Sequence, residues 1–196
     1  DRPTEADSSE SRIPCLNPLS DAASEALRDV KAGQVDERAG AAAYQFLITA
    51  IDLALAGAID AVTTLPLNKE SLSLAGIPHP GHTEILAERC GVPEHAMMLY
   101  LASEQGGTRP GLGVVHVTLH MALRQVFDRI TRESVAAKIR LADHSMRPLT
   151  GRRAPRVAVS SLNPHAGENG LFGDEEIRII RPAVEDAQRE GIDVHG

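Results

Sequence analysis

Arg156-Val157-Ala158-Val159-Ser160-Ser161-Leu162-Asn163-Pro164-His165-Ala166-Gly167-Glu168-Asn169-Gly170-Leu171-Phe172-Gly173-Asp174-Glu175-Glu176 passes from an apolar strand, through a glycine-rich loop, to the acidic start of a helix. Arg156 to Ser160 is a short buried strand, because a continuous apolar run bounded by turn residues is covered on both faces. Asp174, Glu175 and Glu176 suit a helix N-terminus, where unpaired N–H groups carry partial positive charge. In an open α/β sheet, ligands lie beyond the carboxyl ends of the strands, so Asn163 and His165 point at whatever the chain holds. Taken alone, the loop is equally a glycine-rich turn with a surface histidine.

Working outward, residues 1–19 are polar, aperiodic and rich in Ser, Pro, Asp and Glu, and read as loop or frayed end. Residues 20–196 form the structured region, with any domain boundary inside it left open. Ser20 and Asp21 cap a helix reaching Val30 to Ala32, stopped by Gly33. A longer helix spans Glu37 to Ala56, and its run of Ala41, Tyr44, Phe46, Leu47, Ile51, Leu53 and Leu55 predicts that it is largely buried. Asp60 to Leu65 is a β-branched strand that gives way to Pro66-Leu67-Asn68-Lys69-Glu70. Asn68 caps a short helix from Lys69 to Ala75, closed by Gly76. Pro80-Gly81 opens a further helix at His82-Thr83, where free N–H groups suit an anionic or hydroxylated ligand; otherwise Thr83 is a cap and His82 is solvated.

Strands follow at Ala96 to Leu101 and Leu112 to Leu119, the second ending in His120, with a surface loop at Ser103 to Gly111 between them. Helices are expected over Met121 to Ile130 and from Thr131 to about Met146. A basic connection then runs from Pro148 to Pro155. Beyond the central loop a helix covers Asp174 to Glu190, kinked or restarted at Pro182, and Gly191 to Gly196 begins a strand. This order of helices and strands is that of an α/β sheet, with room for one antiparallel strand pair.

Composition excludes several classes. The net charge of −7 argues against a nucleic-acid binder, and an aromatic content of 3% argues against base stacking. No apolar run approaches the roughly 20 residues of a membrane span. Cys15 and Cys90 are too few for a disulfide scaffold and no leader is evident, so a cytoplasmic location is the default. There is no Gly-x-Gly-x-x-Gly, phosphate loop or nucleophile elbow, so any nucleotide is bound by another device.

His120 and His165, both placed past strand ends, can converge if their strands are neighbours, and neutral imidazoles are common metal ligands. A catalytic site wants three protein ligands, so a third must come from His82, Glu168, chain outside this sequence or a partner subunit. His79, His95, His116, His144 and His195 read as structural or solvated. Lys69 could neutralise a carboxylate or phosphate, although most lysines simply solvate a helix face.

Pro66-Leu67-Asn68-Lys69-Glu70, Pro80-Gly81-His82-Thr83-Glu84, Met97-Met98-Leu99, His120 and Leu162-Asn163-Pro164-His165-Ala166-Gly167-Glu168 together resemble one family, the 4-hydroxythreonine-4-phosphate dehydrogenases (PdxA). The resemblance covers roughly Gly33 to the end. It implies an isocitrate-dehydrogenase-like two-domain α/β/α architecture, present here only in part, and a homodimer with the active site at the subunit interface. It also implies NAD or NADP as oxidant and a divalent metal ion (Zn, Mg, Mn or Co). His82 and Thr83 are then substrate-binding, and His120 and His165 are two of three histidine metal ligands. The implied reaction oxidises and decarboxylates a phosphorylated 3-hydroxy acid such as 4-phosphohydroxy-L-threonine, within pyridoxal phosphate biosynthesis. Lys69 is the candidate general acid or base, or an anion contact.

The family's N-terminal Gly-Asp-Pro-x-Gly-Ile-Gly segment and its His-Asp-Gln-Gly region, which supplies the third ligand, are absent. The chain is therefore expected to be an internal part, inactive and poorly soluble by itself. Where the family reads Thr-His-Leu-Pro-Leu, this chain has Leu119-His120-Met121-Ala122-Leu123, and the loop from Gln105 to Gly113 is lengthened. Both changes suggest a paralogue acting on a four-carbon sugar-acid phosphate or an aromatic dihydrodiol carboxylate. The rival classes are a metal-dependent hydrolase or lyase and a non-catalytic anion-binding domain.

Overall fold

The computed structural model describes residues 15–103 and 111–196, in two compact units that divide between Pro93 and Glu94. The expected N-terminal loop up to residue 14, and most of the expected surface loop after Ser103, lie outside the described residues.

The first unit is helical: α1 (Asp21–Leu27), α2 (Glu37–Leu55), α3 (Lys69–Leu74) and α4 (His82–Arg89). Local side chains set the helix starts. Ser20 Oγ accepts from the Ala23 N–H, Asp36 from Arg38 and Asn68 from Ser71, each satisfying a donor that the helix itself leaves unpaired. The core is Leu47 and Ile51 of α2, Leu72 of α3 and Ile85 of α4. Gly40 permits the close approach of α2 and α3, since a Cβ there would lie 2.0 Å from the Ser71 carbonyl oxygen.

Three expectations are corrected here. α1 stops at Leu27, short of Gly33. α2 buries one face, at Gly40, Ala42, Leu47 and Ile51, while Phe46 and Leu55 are exposed. The strand expected over Asp60 to Leu65 has no ladder partner among the described residues, and Leu65 is 83% exposed. A strand exists only through its neighbours' hydrogen bonds, which β-branched composition cannot supply.

The second unit holds β1 (Met98–Leu101) antiparallel to β2 (Leu112–Val115), with Leu99 opposite Val114 and Leu101 opposite Leu112. α5 (Leu123–Arg129) and α6 (Arg132–Thr150) follow. β3 (Val157–Ala158) pairs parallel with β4 (Val194–His195), and α7 (Arg181–Arg189) lies between them in sequence. Ile130, Val135, Ala136 and Ile139 pack with Ile180, Ala183, Val184, Ala187 and Val194. The apolar stripes of α6 and α7 thus form one core beside the parallel pair, in keeping with an α/β class. No helix among the described residues is long and apolar enough to cross a membrane.

α6 runs one turn further than expected, through Pro148 to Thr150. The Thr150 hydroxyl donates to the Met146 carbonyl at 2.6 Å, and Gly151 closes the helix at φ 66°. Pro182 does mark a restart. The chain makes a wide π-turn over Glu176–Ile180 and becomes α-helical at Arg181, so the proline falls in the first turn, where no N–H is needed. β2 ends at Val115, not Leu119, and β3 covers only Val157 and Ala158 of the stretch expected to reach Ser160.

Candidate functional site

In the first unit, Lys69 does not follow a strand. It is the first residue of α3, behind the Asn68 cap. α4 begins at His82 with Gly81 in the capping position and no side chain capping it, so Thr83 is not the cap. The first-turn N–H groups and the half-buried His82 and Thr83 are therefore left for a ligand. The structure brings Lys69 to this turn: its Cε lies 3.9 Å from the position a Cβ would take on Gly81, and Glu84 Oε2 lies 3.8 Å from the same point. One cation, one carboxylate, one hydroxyl, one imidazole and a helix start thus share a small region, in which Lys69 and the helix start suit an oxygen-rich ligand and Glu84 opposes an anion.

In the second unit, His120 and His165 sit on loops, each several residues past the nearest strand. Both have left-handed backbone, with φ of 46° at His120 and 53° at His165. A bulky L-residue there is strained by about 1–2 kcal/mol. Both side chains are exposed, and neither ring has a hydrogen-bond partner among the described residues. Three other histidines are engaged locally. His79 Nε2 lies 3.1 Å from Glu88, His116 Nδ1 lies 3.4 Å from the Met97 carbonyl, and His195 Nε2 lies 3.2 Å from Asp193.

The central loop is more unusual than its glycine content suggests. His165, Ala166, Gly167, Glu168, Asn169 and Gly170 all have positive φ, forming a left-handed turn. Four of the six are not glycine, so the turn stores several kcal/mol, on the order of 1–2 per residue. The surroundings hold it. The Phe172 N–H donates to the Gly167 carbonyl at 3.0 Å, and a Cβ on Gly167 would lie 2.6 Å from the Gly173 oxygen. Underneath, Glu176 Oε1 accepts from the N–H groups of Leu162 at 2.9 Å and Asn163 at 2.6 Å. Asn163 Nδ2 donates to Glu176 Oε2 at 2.9 Å and to Glu175 Oε2 at 2.7 Å.

Two corrections follow. Asn163 does not face a ligand, because its amide is turned inward to two carboxylates. Glu175 and Glu176 are not merely acidic decoration of a helix start; they grip the loop. Burial raises the pKa of the Glu176 carboxyl, but the Asn163 N–H, its side-chain amide and the Leu162 N–H outweigh that and hold it below its ordinary value. The sequence signal was the carboxylate doublet after Gly173, and it reads just as well as helix-dipole pairing.

Two unpartnered imidazoles suit a divalent transition-metal ion. Among the described residues, no group of three or more His, Cys, Asp or Glu completes a cage around them. Each imidazole offers one ligand, and a cation held by both would need at least one further ligand from elsewhere.

The sequence model of the family described as pyridoxal phosphate biosynthetic protein PdxA matches residues 4–196. The D-threonate 4-phosphate dehydrogenase of Salmonella typhimurium is 46% identical over 167 residues, which are 85% of this chain and 48% of that protein. The 4-hydroxythreonine-4-phosphate dehydrogenase of Desulfosudis oleivorans is 47% identical over 164 residues, 84% of this chain and 46% of its own. The crystal structure of 4-hydroxythreonine-4-phosphate dehydrogenase from Klebsiella pneumoniae superposes with a TM-score of 0.77 at 44% identity, covering 86% of this chain and 48% of that one. The chain spans about half the length of the curated relatives it matches.

Proposed function

The chain belongs to the PdxA family, and on that premise we propose that it is part of an NAD- or NADP-dependent dehydrogenase that oxidises and decarboxylates a phosphorylated 3-hydroxy acid. The carrying observation is the pair of unpartnered imidazoles, His120 and His165, held on left-handed backbone at the family's motif positions. In this reading they hold a divalent cation together with a ligand outside the described residues. When bound, the cation supplies Lewis acidity at the alcohol or ketone oxygen, and the nicotinamide accepts the hydride.

Net, a secondary alcohol gives its hydride to the nicotinamide and its hydroxyl proton to solvent, the neighbouring carboxylate leaves as carbon dioxide, and the electron pair left on carbon takes up a proton. The Lys69 side chain, whose Cε lies beside the turn that opens α4, gives the positive charge for a carboxylate or phosphate, which favours an anion contact over a role as general base. The Thr83 hydroxyl and the first-turn N–H groups donate to the same anion, and His82 closes the set. An isocitrate-dehydrogenase-like two-domain architecture, a homodimer with an interfacial active site and a cytoplasmic location complete the proposal.

We favour 4-phosphohydroxy-L-threonine as substrate. A second reading, D-threonate 4-phosphate, is supported by Met121-Ala122 where the family carries Leu-Pro and by the relatives of that name. The test gives the full-length protein each of these acids, an aromatic dihydrodiol carboxylate and a dephosphorylated control, and follows reduced nicotinamide with and without chelator. Chelator-sensitive reduction with a phosphorylated acid is expected. Reduction only with the aromatic diol rejects the substrate class, and metal-dependent hydrolysis without reduction rejects the dehydrogenase.

A further inference from the structure

We propose that Glu176 is a positioning residue for His165: its buried carboxylate, brought under the loop by the π-turn, sets the direction in which the left-handed turn presents the imidazole. This rests on the metal-binding role proposed above for His165. The geometry that carries it is the three-donor clamp. Glu176 is 8% exposed, yet its two oxygens accept from the Leu162 N–H, the Asn163 N–H and the Asn163 side-chain amide at 2.6–2.9 Å. Asn163 and Pro164 immediately precede His165, so fixing the Asn163 peptide and side chain fixes the entry of the chain into the turn. The middle of the turn also lies against the same carboxylate, because a Cβ added to Gly167 would meet Glu176 Oε2 at 3.0 Å.

The π-turn explains why this residue can do it. Over Glu176–Ile180 the helix is wider than an α-helix, and Glu176 at its start reaches the loop while Ile180 and Val184 belong to the core. The side chain must also be an ionised carboxylate. All three of its partners are donors, so an acceptor-only group satisfies them, whereas a glutamine would set its own NH₂ against that of Asn163. Groups that orient a metal-ligating histidine without touching the metal typically govern ten- to hundredfold of metal affinity. Glu176 differs from the usual case in acting through the backbone on which the histidine stands, with no contact to the ring.

The test uses the full-length protein. Glu176→Gln, Glu176→Asp and a core control, Val184→Ala, are compared with wild type by thermal melting without metal, by cobalt(II) titration with the visible spectrum recorded, and by amide hydrogen exchange at Gly170 and Phe172 without metal. Glu176→Gln is expected to weaken cobalt binding about tenfold or more, change the cobalt spectrum and speed exchange at Phe172. Val184→Ala is expected to lower the melting temperature with cobalt affinity unchanged. Wild-type cobalt affinity in both Glu176 variants overturns the proposal, as does an affinity loss in Val184→Ala equal to theirs. If His165→Ala binds cobalt as wild type does, the metal reading fails instead. The exchange data then decide the clamp: unaltered exchange at Phe172 in Glu176→Gln overturns it, and faster exchange sustains it.

Discussion

At His120 and His165 the proposed function and the local energetics oppose each other. Each sits at a φ that glycine adopts freely and an imidazole-bearing residue does not. Replacement by alanine removes the proposed ligand but keeps the strain; replacement by glycine removes both. We therefore expect His165→Gly to be more stable than His165→Ala by about 1–2 kcal/mol in urea unfolding, with metal content low in both. Equal midpoints would show that the left-handed backbone is not strained by its side chain. The contribution proposed for Thr83 is of a different kind, one hydrogen bond to a charged group of the substrate. Thr83→Val should lower catalytic efficiency of the full-length enzyme roughly ten- to hundredfold, about 1.5–3 kcal/mol, without releasing metal. Unaltered kinetics would remove Thr83 from the substrate contacts.

At the scale of elements, the contact of α2 with α3 turns on Gly40. Helix propensity alone predicts that Gly40→Ala stabilises by about 1 kcal/mol. The added methyl would stand 2.0 Å from the Ser71 carbonyl oxygen, so the two helices must separate. Overpacking of this kind costs about 1–3 kcal/mol and exceeds the propensity gain, so the urea midpoint should fall. A rise would mean that α3 moves aside at no cost. The start of α2 is sensitive to acid instead. The Arg38 side chain bonded to Asp36, helped by the Arg38 N–H, outweighs desolvation and lowers the Asp36 pKa to about 2. Because the folded value lies below the unfolded one, the contribution is complete above the unfolded value of 3.8 and is lost as pH falls towards 2. Asp36→Asn should flatten that part of the stability curve, measured as urea midpoints between about pH 5 and pH 2.5. An unchanged slope would reject the coupling.

For the molecule as a whole, two units each carry their own core, and the second leaves an apolar sheet face open. Leu99, Leu101, Leu112 and Val114 share one face of the β1–β2 pair and are 59%, 70%, 59% and 49% exposed. A contiguous exposed apolar face on a sheet with free edges favours association. Since Leu101 and Leu112 are directly opposed, Leu101→Lys with Leu112→Glu replaces an apolar pair with an oppositely charged one and keeps the register. The 196-residue chain carrying both changes should give less scattering at a given concentration. Unchanged scattering would locate its association elsewhere.

Helix starts were legible in the sequence because they depend on neighbours three or four residues away. Ser20, Asn68 and Gly81 open their helices as the local pattern dictates, and Gly76 closes its helix with positive φ. The histidine motif and the family it belongs to were legible for the same reason: they are strings of adjacent residues. What depends on distant partners was not. The stretch from Asp60 to Leu65 has strand composition but no ladder partner among the described residues, and the apolar length of α2 did not reveal that only one face would be covered. The left-handed sense of the turn from His165 to Gly170 was equally hidden, as was the inward rotation of Asn163, whose amide is bonded to the distant carboxylates of Glu175 and Glu176. Sequence determined which residues could carry the chemistry; tertiary structure decided which way they face, since orientation is fixed by hydrogen bonds between segments that no local pattern encodes.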